Sequence, residues 1–167
     1  MNRDGHYGVA LLVYCPRRLC AGAIGIQPAC GRGGIALLVL VMVPDWDLYV
    51  PLLPHRGPTH SVTFALLVGL AVGIGVAYGI REGLLGPLTA SADPLSLVLG
   101  GVFIGSFSVV SHLLGDVLTP MGIRPLWPLS SYYISFDITR AANPISNKLL
   151  LAAGIGAAGL ATALLVA

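Results

Sequence analysis

"SVTFALLVGLAVGIGVAYGI", residues 61–80, runs for twenty positions without a charged side chain and ends at Arg81 and Glu82. An α-helix rises about 1.5 Å per residue, so roughly 20 apolar residues cross a hydrocarbon core of about 30 Å. The stretch has the length and composition of a transmembrane helix. Downstream, "LSLVLGGVFIGSFSVVS", 95–111, is equally free of charge, and helical continuation carries it to about residue 118 through His112 and Asp116. Asp93 followed by Pro94 supplies the N-cap and first-turn proline of that helix. "LLLAAGIGAAGLATALLVA", 149–167, entered through Asn143, Pro144 and Lys148, reads as a further span over 148–167.

Upstream the pattern is less regular. "HYGVALLVYC" (6–15) and "GGIALLVLVMV" (33–43) are apolar but short, with Arg17, Arg18 and Arg32 between them. They read as a hairpin of short or tilted segments over about 7–29 and 33–44. The pairs Gly69–Gly73 and Gly101–Gly105 permit close helix contact, unless they only reflect how common glycine is among 22 such residues. The N-terminal residues, with an acid and a histidine in place of a basic region and apolar core, do not read as a cleavable signal peptide.

Composition agrees with this frame. The 167-residue chain is 56% hydrophobic and 10% charged, with mean hydropathy +0.87; soluble domains carry about 25% charged residues. A net charge of +2 gives no reason to expect nucleic acid as a partner. The expectation is one all-α domain over 1–167, a polytopic transmembrane bundle of about four to five segments in the cell membrane, with the bilayer as its partner. Loops 44–60 and 117–147 are left to carry chemistry.

Placing the polar residues on that frame sorts them by membrane face. His6 opens the first segment, Asp45 and Asp47 close the second, His55 and His60 precede the third, and His112 and Asp116 end the fourth. Alternation of direction brings these seven to one face, while Arg17, Arg18, Arg32, Arg81, Glu82 and Asp93 go to the other. His112 and Asp116, four apart, share a helix side. Asp45 and Asp47, two apart after a proline, would point the same way from extended backbone. Imidazole and carboxylate are the ligands of zinc, iron and manganese sites, and acids at a membrane boundary are functional suspects. Taken singly, any of these histidines is as well explained by a solvated or hydrogen-bonded side chain.

The blocks "GH" (5–6), "PDWD" (44–47), "HRGPTHS" (55–61) and "SHLLGDVLTPMGIRPLWP" (111–128) together resemble, in order, the YdjM family of membrane-bound, metal-dependent hydrolases. More distantly the family is similar to all-helical zinc phospholipases C and related nucleases, in which histidine and aspartate bind metal. The resemblance implies a divalent ion, zinc first with manganese or iron as alternatives, held by His6, Asp45, His60, His112 and Asp116. It also implies hydrolysis of a phosphoester, lipid-borne or otherwise, by metal-activated water. Asp47 or His55 would orient or deprotonate that water, with His55 alternatively a further ligand, and Arg56 would steady the developing negative charge with its planar fork. Two departures, Leu48 where some relatives carry a histidine and the short link from Asp47 to His55, argue against a full multi-metal site.

Rival readings use the same ligands. A metal transporter would want them near the bilayer midplane with a polar path onward, which 61–80 and 148–167 do not offer. A metal-stabilised scaffold would need neither Arg56 nor an open coordination position. Thr59 or Ser61 is expected to cap the helix that follows. Trp46, Tyr49, Trp127, Tyr132 and Tyr133 read as interfacial belt residues, and Cys15, Cys20 and Cys30 as buried small hydrophobes. Lys and Arg divide five (3, 56, 124, 140, 148) to four (17, 18, 32, 81) between the faces, too evenly for the positive-inside rule to choose an orientation.

Overall fold

The computed structural model describes residues 1–23, 27–51, 54–89 and 92–166, with the side chains of 16–23, 27–32, 87–88 and 165–166 left aside. The chain begins with α1 (Arg3–Ala23) and α2 (Gln27–Leu40). Two 3-10 turns follow, Pro44–Tyr49 and Pro58–His60. Then come α3 (Val62–Arg81), the single turn α4 (Gly86–Thr89), α5 (Pro94–Val117) and α6 (Pro144–Val166).

Local chemistry sets the helix starts. The Asn2 side chain accepts the Gly5 N–H at 3.1 Å, with Asp4 in the first turn, where the helix dipole favours an acid. Ser61 caps α3 by accepting Phe64 N–H, and Asp93 caps α5 by accepting Ser96 N–H. Asn143 accepts Ile145 and Ser146 N–H at the entry to α6. Each satisfies amide donors that the first helical turn leaves orphaned.

α5 is central and packs on α1, α2 and α3, while α6 lies along α1. The α3–α5 seam is made by glycine: a Cβ on Gly105 would stand 2.8 Å from Gly69 Cα and 3.0 Å from the Val68 carbonyl oxygen. The pairs at 69/73 and 101/105 therefore serve close backbone approach, which drives helix association where lipid removes the hydrophobic term. The same device joins α1 to α6, because a Cβ on Gly154 would meet the Gly8 carbonyl oxygen at 2.6 Å; the sequence reading did not single out that pair. Ala10, Tyr14, Leu37, Val41 and Phe107 form one core among α1, α2 and α5. Ala65, Val109, Leu113, Val117 and Ile123 form another between α3, α5 and the loop that follows α5.

Among the described residues three helices are long and apolar enough to cross a membrane: Val62–Arg81, Pro94–Val117 and Pro144–Leu164. The count is lower than the expected four to five. With 14 residues, α2 reaches only about 21 Å at 1.5 Å per residue, short of the bilayer core. α1 is one 21-residue helix but has Arg3, Asp4, Arg17 and Arg18 along it. Leu66, Leu67, Leu70 and Ile74 on α3, and Leu149, Ile155 and Leu160 on α6, face outward. A contiguous apolar exterior of this kind suits lipid. Cys15 is buried, while the side chains of Cys20 and Cys30 and of Arg17, Arg18 and Arg32 lie outside the described residues.

The loop after α5 closes over its C-terminal end. Phe136 N–H donates to Val117 O, and Ile138 and Thr139 N–H both donate to Leu118 O, satisfying orphan carbonyls of the last turn. Ile123 and Ile134 exchange backbone hydrogen bonds in an isolated bridge.

Candidate metal centre

The last turn of α5 presents His112 and Asp116 on one side, Nε2 to Oδ2 3.4 Å. The 3-10 turn ending at His60 aims that ring at the same point: its Nε2 is 3.3 Å from Asp116 Oδ2 and 3.3 Å from His112 Nε2. The Pro44–Tyr49 turn adds Asp45, whose Oδ1 stands 3.5 Å from His60 Nε2 and 3.3 Å from His112 Nε2. Four donor atoms thus face one another, each pair within 4.8 Å.

These separations are those of a coordination polyhedron. Nitrogen and oxygen ligands about 2.0–2.1 Å from zinc stand about 3.3–3.4 Å apart at the corners of a tetrahedron. Five of the six edges here fall between 3.3 and 3.5 Å. Asp116 Oδ2 is buried and makes no hydrogen bond, an arrangement that a cation at the centre relieves. Two imidazole nitrogens with two carboxylate oxygens fit a divalent ion of the zinc, iron or manganese kind.

Supporting contacts orient both rings. His112 Nδ1 lies 2.8 Å from the Val41 carbonyl oxygen. A carbonyl only accepts, so Nδ1 carries the hydrogen, and a neutral ring would offer a bare Nε2 to an ion at the centre. The hydroxyl of Thr59 donates to Asp47 Oδ2 at 2.8 Å and is 3.0 Å from His60 Nδ1. The His60 Nδ1 hydrogen therefore goes to Thr59 Oγ1, which passes the polarity on to Asp47.

Electrostatics follow the same geometry. Burial disfavours charge on Asp45, but hydrogen bonds from His112 and His60 outweigh it and hold its carboxyl well below the usual carboxylate range. Burial likewise disfavours a proton on His60, yet the facing Asp116 and Asp45 carboxylates raise its pKa above the ordinary imidazole value.

Of the residues expected at the site, Asp45, His60, His112 and Asp116 form the four-donor group. His6 is fully buried and stacks on the His112 ring, with centroids 3.8 Å apart and planes 5° apart. Its Nε2 is 3.6 Å from Asp116 Oδ1, and neither ring nitrogen has a hydrogen-bond partner. Gly115 leaves room for that ring, since a Cβ there would lie 2.8 Å from His6 Nδ1.

Asp45 and Asp47 do not lie on extended backbone, because the segment winds into a 3-10 turn. Their carboxylates approach opposite nitrogens of His60, Asp45 at Nε2 and Asp47 at Nδ1. Asp47 is buried and takes His55 Nδ1–H at 3.0 Å, the Arg56 amide at 3.2 Å and the Thr59 hydroxyl. These three bonds tie it to the segment 55–59.

Arg56 also differs from expectation. Its guanidinium turns inward, donating to Asp116 Oδ1 at 2.7 Å, Thr119 Oγ1 at 2.9 Å and Gly122 O at 3.2 Å. The Met1 amino group donates to the same Asp116 oxygen. Arg56 adopts φ 61°, in the left-handed region that non-glycine residues seldom occupy. It clamps Asp116 so that Oδ2 faces the centre, while its buried Nε has no hydrogen-bond partner. Sequence reasoning gave Thr59 only a possible capping role, which Ser61 fills, and it missed Val41, whose contribution is a backbone carbonyl with no residue signature.

The sequence model of the YdjM inner membrane protein family matches residues 3–167. No curated protein sequence and no solved structure matches the chain significantly. The match spans the three apolar helices and all four facing donors, and on it the chain belongs to the YdjM family of inner membrane proteins.

Proposed function

We propose that this protein is a membrane-bound, metal-dependent hydrolase acting on a phosphoester. The observation that carries the reading is the set of four converging donors at tetrahedral spacing, one of them reachable from outside. Three of the four residues are 0–1% exposed, whereas the Asp45 side chain is 18% exposed. Four protein donors fill a tetrahedron as structural sites do, so a hydrolytic water would need a further coordination position, and the partly exposed Asp45 marks the side on which it would enter. Asp45, His60, His112 and Asp116 would hold a divalent ion, with zinc the first expectation and manganese or iron the alternatives. Bound there, the ion supplies Lewis acidity, polarising an ester oxygen and lowering the pKa of water beside it to about 7.

The protein's own groups do the rest. Arg56 and Thr59 fix Asp116 and His60 in the ligating orientation. His55, with a side chain 34% exposed and Nδ1 bonded to Asp47, is the group placed to exchange a proton with the reacting water or leaving group. His6 stacks beneath His112 and sets the position of that ring.

The test is turnover of a panel of phosphomonoesters, phosphodiesters and carboxyesters by purified, metal-loaded protein with and without chelator. Chelator-sensitive hydrolysis of a phosphoester is expected, lost in His112→Ala and reduced in His55→Ala with metal retained. Folded, metal-loaded protein inert across the panel would overturn the enzyme and leave a metal-stabilised scaffold.

A further inference from the structure

A cleft of about 350 Å³ opens beside Asp45, the donor residue of the centre that reaches the surface. The other three donors are sealed, so an approach from outside comes by way of Asp45. The walls combine Arg3 and Met1, whose ammonium is bonded to Asp116, with Tyr7, Met42, Trp46, Leu48 and Tyr49. Arg3 is exposed at the start of α1 and is the lining residue whose charge suits an anion. Trp46, Leu48 and Tyr49 stand exposed on the 3-10 turn at the rim, amphipathic aromatics and an aliphatic of the kind enriched where hydrocarbon meets water.

We propose that this cleft receives the phosphate headgroup of a membrane phospholipid, with Arg3 holding the phosphate beside Asp45 and the 3-10 turn contacting the glycerol and first acyl carbons. The assignment rests on the hydrolase reading and names its substrate class. Charge complementarity rests on Arg3, because the Met1 ammonium and Arg56 are already held by Asp116 and a divalent ion at the centre would be balanced by the Asp45 and Asp116 carboxylates. Size selects a headgroup: about 350 Å³ is at the low end of small-molecule pockets, too small for two acyl chains, which would remain in the bilayer beyond Leu48 and Tyr49. Position selects a lipid over a free phosphate, since the apolar rim would gain nothing from an ion that lacks hydrocarbon.

The chain has two tryptophans, so Trp127→Phe leaves Trp46 as the reporter of the cleft. Zinc-loaded protein in detergent is titrated with a hydrolysis-resistant phosphonate analogue of dihexanoyl phosphatidic acid, with inorganic phosphate as competitor. Saturable change in Trp46 emission is expected, weakened about 10- to 100-fold by Arg3→Ala, as loss of a charged hydrogen bond dictates, with zinc content unchanged. Arg3→Lys should recover part of the loss, because an ammonium keeps charge without the fork. Equal binding by wild type and Arg3→Ala, or inorganic phosphate competing as tightly as the phosphonate, overturns the lipid site. Hydrolysis of water-soluble phosphoesters by protein whose Trp46 does not respond removes this proposal and keeps the hydrolase. Arg3-dependent phosphonate binding without turnover of any phosphoester keeps the cleft and removes the hydrolase.

Discussion

Asp116 divides its oxygens, Oδ1 to Arg56 and Oδ2 to the two imidazoles, and that division generates predictions for single side chains. Arg56→Ala leaves the buried Asp116 carboxylate with the Met1 ammonium as its remaining cation, so the change should be at most the about 3–5 kcal/mol of a buried pair broken on one side. The drop in thermal midpoint should be larger in chelated than in zinc-loaded protein, because a dication at Oδ2 also neutralises the charge. Equal drops would show that Arg56 does not support the centre. Asp47→Asn keeps the shape but weakens the polarisation of His60 through Thr59; metal affinity should fall about 10–100-fold, as for other outer partners of metal-binding histidines, read by competition with a chelating dye. The pH response follows from His60 and Asp45. The raised His60 pKa means its contribution to the metal-free fold is complete below the ordinary imidazole value and is lost as pH rises through the raised one. The lowered Asp45 pKa means its contribution is present above the ordinary carboxylate range and is lost only in strong acid. A metal must displace the His60 proton, so the increment it adds grows with pH. Thermal midpoints with and without zinc should therefore diverge from mildly acid to mildly alkaline pH; a gap that narrows would exclude His60 as a ligand.

At the level of elements, α3 and α5 meet through backbone where Gly69 faces Gly105, and α1 meets α6 where Gly8 faces Gly154. Overpacking a tight contact costs about 1–3 kcal/mol. Gly105→Val should cost at least that, since its added atoms would press on Gly69 and on the Val68 carbonyl, neither of which is a flexible side-chain end. Gly100→Val, whose Cβ would meet nothing within 4 Å, is the control. Because α5 carries His112 and Asp116 while the turn entering α3 carries His60, displacing the seam should also lower zinc affinity. Gly105→Val with normal stability and zinc binding would mean that the seam does not set the site. The helix starts were legible beforehand because caps are local: Asp93-Pro94 and Ser61 act within one turn of themselves. The 3-10 winding of Pro44–Tyr49 was not, since the proline that permits extended backbone equally opens a tight turn, and packing against His60 and His112 chooses between them.

For the molecule as a whole, the topology places Leu48 and Leu129 at the end that holds the centre and Leu84 at the turn before α5. In a background with Cys15, Cys20 and Cys30 replaced by alanine, Leu48→Cys and Leu129→Cys should react with a membrane-impermeant maleimide from the same side, and Leu84→Cys from the other. Labelling of 48 and 129 from opposite sides would break the shared end. The sequence by itself determined the membrane class, the three apolar spans and the meeting of four histidines with Asp45, Asp47 and Asp116 at one end. Uncharged runs and alternating direction leave little choice where backbone polar groups must be satisfied within helices. Tertiary structure alone decided that Asp45 and Asp47 flank opposite nitrogens of one ring, that His6 stacks on His112, and that Arg56 turns inward to Asp116. Those outcomes depend on distances between residues 13 to 106 positions apart in the chain, and no local preference encodes which of several nearby acids a histidine or an arginine will meet.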